Sequence, residues 1–149
     1  MEIRTLSKAD LESLLQLYIQ LDEKNSALSL ETCIHIWESE IEPNTNIRYF
    51  GAVQDGKVVS TCYAVLIPNL TNDSRGICFI ENVVTDIAFR KQGLAKAVIG
   101  EAVAYAKAHH CYKVILQSGI ARKEAHRFYE SIGFNGESKK AFDMRLSDR

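Results

Sequence analysis

The run Arg90-Lys91-Gln92-Gly93-Leu94-Ala95 carries the clearest chemistry in this 149-residue chain. It follows an apolar, strand-like segment and opens a helix-like one predicted over Gln92 to His109. The first N–H groups of a helix lack intrahelical partners and lie at the positive end of its dipole. Such a turn binds phosphate. Gly93 lets the backbone approach an anion, small Ala95 keeps bulk away, and Arg90 and Lys91 add positive charge. The competing reading is an ordinary strand–turn–helix whose glycine only shapes the turn. The spacing is neither the G-x-G-x-x-G of dinucleotide folds nor the P-loop pattern.

Two further side chains are candidates. Glu81 sits within the apolar strand predicted over Ile77 to Ile87, as either an accessible base or an acid in an edge salt bridge. Tyr129 lies on a helix predicted over Lys123 to Ile132, where spacing alone reads it as a core aromatic beside Phe128. Arg48, Tyr49 and Arg75 are candidates to line an acceptor pocket.

Composition limits the partners. With 46% hydrophobic and 25% charged residues, the chain reads as one globular domain over residues 1–149. A net charge of −1 without a basic block argues against nucleic acid. No signal peptide or membrane-spanning run is apparent, so no membrane partner and a cytoplasmic location are expected. Cys33, Cys62, Cys78 and Cys111 are scattered, with no C-x-x-C pair, and read as reduced apolar thiols. His109-His110-Cys111 reads as a solvated helix end, and no metal is expected.

The elements that must position these residues follow from periodicity. Glu2 to Leu6 is a first strand, and Ser7 caps a helix carrying Leu11, Leu14, Leu15, Tyr18 and Leu21. A second helix is predicted over Leu30 to Ile41, before Pro43. Ile47 to Gln54 and Lys57 to Ile67 form a hairpin about Asp55-Gly56. A polar loop, Pro68 to Gly76, leads to the Glu81 strand. A strand over Lys113 to Gln117 completes a βαβ-like unit, and Ala141 to Leu146 is predicted as a last strand. The order β-α-α-β-β-β-α-β-α-β specifies an α/β (α+β) domain with helices on a mixed sheet.

Ile80 to Arg90 with the Gly93 turn resembles the fourth strand and [RQ]-x-x-G-x-[GA] pyrophosphate loop of the GNAT N-acetyltransferases. Ala125-His126-Arg127-Phe128-Tyr129-Glu130-Ser131-Ile132-Gly133-Phe134 is similar to that family's A-x-x-F-Y-x-x-x-G-F helix. The resembling blocks cover about Phe50 to Phe134. Cys111-Tyr112-Lys113-Val114-Ile115-Leu116 adds some likeness to glucosamine-6-phosphate N-acetyltransferases.

The resemblance implies a mainly antiparallel central sheet and acetyl-CoA as co-substrate. It implies that Arg90, Lys91, Gln92, Gly93, Leu94 and Ala95 hold the pyrophosphate, and that Val83, Val84 and Thr85 on a splayed strand pair with the pantetheine amides. Tyr129 becomes the general acid, since a phenol of pKa ~10 can protonate a departing thiolate of pKa ~8–9. Glu81 becomes the candidate base. Arg122 stands where the family often carries an asparagine that contacts the pantetheine arm. The implied acceptor is a primary amine of a small molecule, amino sugar or polyamine-like, and a homodimer is compatible. The alternatives are a protein or peptide acceptor, or a non-catalytic acyl-CoA-binding module, against which Tyr129 argues.

Overall fold

The computed structural model describes residues 1–146, in two compact units, Met1–Leu116 and the segment from Gln117 onward. The first unit is built on a five-stranded sheet in the order β1-β2-β3-β4-β5. Its strands are β1 (Glu2–Thr5), β2 (Ile47–Gln54), β3 (Lys57–Ile67), β4 (Ile77–Thr85) and β5 (Lys113–Leu116). The first four pair antiparallel, and β5 joins β4 in parallel. Helix α3 (Leu94–Ala108) makes that parallel crossover. The β2–β3 turn has Asp55 at φ 52° and Gly56 at φ 76°, the paired left-handed conformation of a tight hairpin.

Helix α1 (Leu11–Leu21) lays Leu11, Leu14, Leu17 and Tyr18 against one sheet face, together with Val53, Val58 and Val84. Its approach is fixed by polar contacts at its start. Asp10 accepts from the Ser7 N–H at 2.8 Å and from the Arg4 guanidinium at 2.8 and 2.9 Å. These bonds hold the Asp10 carboxyl below its ordinary range, chiefly through Arg4. Ser13 accepts from the Val58 N–H at 2.7 Å and ties α1 to β3.

Helix α2 (Leu30–Ile36) widens into a π-helical turn over Trp37–Ile41. The Ser39 hydroxyl donates to the His35 carbonyl at 2.7 Å and competes with the regular ladder there. Trp37 is thereby buried in the α1-side core.

Strand residues of the other parity face α3. Phe50 lies 5.8 Å from the Tyr105 ring, and the Cys62 thiol reaches the Val98 carbonyl at 3.8 Å. Ala52, Ala64, Cys78 and Ile80 are almost fully enclosed on this side. Burial pushes the Cys62 thiol up to about 12 and the Cys78 thiol up to about 11, so both stay protonated and apolar.

In the second unit, helix α4 (Lys123–Ser131) ends where the Phe134 N–H donates to the Tyr129 carbonyl at 3.0 Å. The strand predicted over Ala141 to Leu146 does not form. Phe142, Met144 and Leu146 alternate correctly, but they are 83–85% exposed and their backbone joins no ladder. Alternation alone makes no strand without a paired edge. The sheet therefore has five strands among the described residues, one fewer than predicted. No described helix is long and apolar enough to cross a membrane.

Candidate active site

The Arg90–Ala95 turn begins α3 two residues later than the predicted Gln92, because the backbone first passes through two left-handed residues. Lys91 has φ 62° and Gly93 φ 78°, so the chain arches before the helix starts at Leu94. The strain at Gly93 is relieved by its missing side chain. The first intrahelical bond runs from the Ala97 N–H to the Gly93 carbonyl at 3.1 Å. No side chain caps the helix, which leaves the N–H groups of Leu94, Ala95 and Lys96 open at the positive end of the dipole.

Three bonds hold this arch in place. The Arg90 Nε donates to the Thr85 carbonyl at 3.1 Å and clips the arch to the end of β4. Asp86 accepts from the Ala88 N–H at 2.8 Å, and Gln20 of α1 accepts from the Ile87 N–H at 2.9 Å. The structure thus brings Thr85 and the Arg90–Ala95 turn together.

One edge of β4 is open over the residues expected to meet pantetheine. Pairing with β5 ends at Ile80↔Leu116, whereas pairing with β3 continues to Ser60↔Thr85. From Glu81 to Thr85 the β5-side edge has no strand partner among the described residues. Backbone groups alternate between the two edges of a strand, so Val83 presents its own to the open side, while the Thr85 carbonyl there is taken by Arg90 Nε. The strand also kinks at Asn82, whose φ of 52° marks a bulge between the Tyr63↔Glu81 and Thr61↔Val84 pairs.

Glu81 lies directly before that bulge and is half-buried. Its neighbour across the ladder is Tyr63, whose own partner is Tyr49, so all three share the α1-side face. The two tyrosine rings stack at 4.6 Å with an interplanar angle of 11°, and Trp37 tilts against Tyr49 at 5.1 Å. Burial raises the Tyr18 and Tyr49 phenols well above their ordinary range, and Tyr63 is raised by burial and by the Glu81 carboxylate. The Tyr18 hydroxyl has the Asn82 side chain as a polar neighbour, but no hydrogen bond of good geometry forms between them.

Sequence reasoning named Tyr49 and missed Trp37, Tyr18 and Tyr63. Their shared face depends on strand register and on the π-helical turn, which no local pattern announces. The two arginines named beside Tyr49 lie elsewhere. Arg48 turns to the α3 face, 4.6 Å over the Tyr105 ring, and Arg75 donates to the His110 and Cys111 carbonyls.

Tyr129 and Arg122 belong to the second unit. Tyr129 is buried, with Phe128 at 5.4 Å and Phe134 edge-on at 6.1 Å. Arg122 immediately precedes α4, and its carbonyl accepts from the His126 N–H at 3.1 Å.

An open helix start beside an open strand edge fits a ligand with a phosphate group at one end and amides along its length. Comparison with known proteins agrees with that geometry. Residues 11–134 match the model of the acetyltransferase (GNAT) family. The glucosamine 6-phosphate N-acetyltransferase of Trypanosoma brucei brucei is 30% identical over 146 residues, covering 98% of this chain and 95% of that protein. A solved protein of Agrobacterium tumefaciens strain C58, provisionally assigned as an acetyltransferase, superposes with a TM-score of 0.91. It is 34% identical and the match covers 98% of this chain and all of that one. An aminoglycoside N-acetyltransferase solved with CoA has a TM-score of 0.80 at 20% identity, covering 97% and 93% of the two chains, and bears on the fold alone. On the family match across most of its length, the chain belongs to the GNAT family and is an acetyltransferase.

Proposed function

We propose that this enzyme transfers an acetyl group from acetyl-CoA to the primary amine of a small molecule, amino sugar or polyamine-like. The observation that carries this reading is the pairing of free N–H groups at Leu94, Ala95 and Lys96 with the open β4 edge from Glu81 to Thr85. Acetyl-CoA supplies an activated acyl group as a thioester. The chain's own residues then have five tasks.

The amides of the Arg90–Ala95 turn bind the pyrophosphate, with Arg90 and Lys91 adding charge at its mouth. Backbone groups of Val83, Val84 and Thr85 hold the pantetheine amides and orient the thioester. An N–H of the same edge polarises its carbonyl. Glu81 accepts a proton from the ammonium of the acceptor at a carboxylate oxygen, directly or through water, because an aliphatic amine is mostly protonated near neutrality. The freed amine nitrogen then bonds to the thioester carbon as the C–S bond breaks, Tyr129 donates its phenolic proton to the departing thiolate, and the second proton shed by the nitrogen restores the phenol, directly or through water.

The test is a screen of small amines with acetyl-CoA, scored by thiol release. Turnover of amino sugars or polyamines is expected. Turnover of peptides alone would replace the acceptor class, and CoA binding without turnover of any amine would reduce the chain to an acyl-CoA-binding module.

A further inference from the structure

We infer that the row Trp37–Tyr49–Tyr63–Glu81, with Tyr18 beside it, is the acceptor platform, and that it selects a hydroxylated primary ammonium without a phosphate. This rests on the reading of the chain as an N-acetyltransferase with Glu81 at the chemistry, and it narrows the acceptor.

Four observations support it. The register Tyr49↔Tyr63↔Glu81 carries a continuous aromatic surface across three strands to a carboxylate. Ring faces and a carboxylate both attract an ammonium. Beside Tyr63, the Glu81 carboxylate makes no ion pair or hydrogen bond among the described residues, so its charge is available to a ligand.

The cluster also holds buried polar atoms that want partners. Among the described residues the Trp37 indole N–H has no hydrogen-bond partner, and the Tyr18 hydroxyl has only the Asn82 side chain beside it without good geometry, although the two residues are only 5% and 8% exposed. An indole N–H only donates, so it needs an acceptor oxygen, and a ligand hydroxyl supplies one. Orphaned polar atoms in an otherwise packed region are costly unless a ligand or water meets them.

Charge argues against phosphate. The groups acting on Tyr18, Tyr49 and Tyr63 are one another, Asn82, Cys33, Cys62 and Glu81, with no cation among them. The cations that flank α1 in the chain are engaged with carboxylates: Arg4 with Asp10, Lys8 with Glu38, and Lys24 with Asp22. A phosphate dianion on this platform would face a carboxylate without a counter-charge.

Trp37 is the sole tryptophan of the chain, so its fluorescence reports on this cluster directly. The experiment titrates the full chain, in the presence of CoA, with glucosamine and glucosamine 6-phosphate, and with ethanolamine and phosphoethanolamine. Within each pair only the phosphate differs. The expected result is a saturable Trp37 signal for an unphosphorylated member at a concentration ~10-fold or more below that of its phosphorylated partner.

Tyr63→Leu should raise that amine's Kd ~10-fold and leave the Kd of CoA unchanged. Glu81→Gln, nearly isosteric, should narrow the gap within the pair. Equal or tighter binding of the phosphorylated members would overturn the inference. So would a silent Trp37 across all four amines while CoA still binds. Absence of CoA binding together with absence of thiol release would instead bring down the acetyltransfer reading, and this platform with it.

Discussion

The two faces of the sheet differ in how completely they are satisfied. Toward α3, Ala52, Cys62, Ala64, Cys78 and Ile80 meet Val98, Ile99 and Ala102 with almost no exposure, and the Tyr105 hydroxyl donates to the Thr45 carbonyl at 2.9 Å. Toward α1 and α2, Leu14 and Leu17 are equally buried, yet the same face carries half-buried Tyr63 and Glu81 and the unpartnered atoms of Tyr18 and Trp37. One face spends its residues on cohesion. The other leaves polar groups and a charge unmatched, which costs stability and is explained by a ligand.

Mutations should separate the two. Ile99→Ala, on the closed face, should cost about 3 kcal/mol of folding stability in a denaturant titration. KM for either substrate should stay within about twofold of wild type, since such cavities cost stability rather than binding. Glu81→Gln should do the reverse, with a melting temperature near wild type and a kcat/KM about 100-fold lower near neutrality. Its pH–rate profile should lose the acidic limb. An unmoved profile would remove Glu81 from proton transfer and weaken the contrast between the faces.

Tyr129→Phe tests the second unit. It should lower kcat ~10-fold or more while the Kd of CoA stays nearly unchanged. An unchanged rate would return Tyr129 to the packing role its Phe128 and Phe134 neighbours allow.

The smallest effect concerns the entry to α1. The folded Asp10 carboxyl is depressed below its unfolded value, so its contribution is present above pH ~4 and is lost as pH falls through the folded pKa. Arg4→Met should lower stability by about 1 kcal/mol at pH 7. It should also flatten the acid side of the melting-temperature profile. A parallel shift at every pH would assign the loss to packing alone.

Much of this was legible in local sequence. The Asp55-Gly56 turn and the α1 periodicity are short-range signals, and the structure places them as expected. Longer-range consequences were not legible. The β3–β4 register that runs from Ile67↔Ile77 to Tyr63↔Glu81 is what brings Tyr63 between Tyr49 and Glu81, and no local pattern announces it. Ala141 to Leu146 has the right alternation, but a strand needs a partner that alternation does not name. The start of α3 slipped to Leu94 because Lys91 adopts a left-handed conformation that its residue type does not advertise.

Calorimetric titration of the purified chain with CoA is the most direct test of the whole account, run beside Gly93→Val. Saturable heat with a micromolar Kd is expected for the native chain. The variant should bind ~10-fold or more weakly if this turn holds the pyrophosphate, because valine strains the φ of 78° from which the helix start at Leu94 is built. No heat from the native chain, or equal affinity in the variant, would contradict the assignment of the α3 start as the coenzyme site.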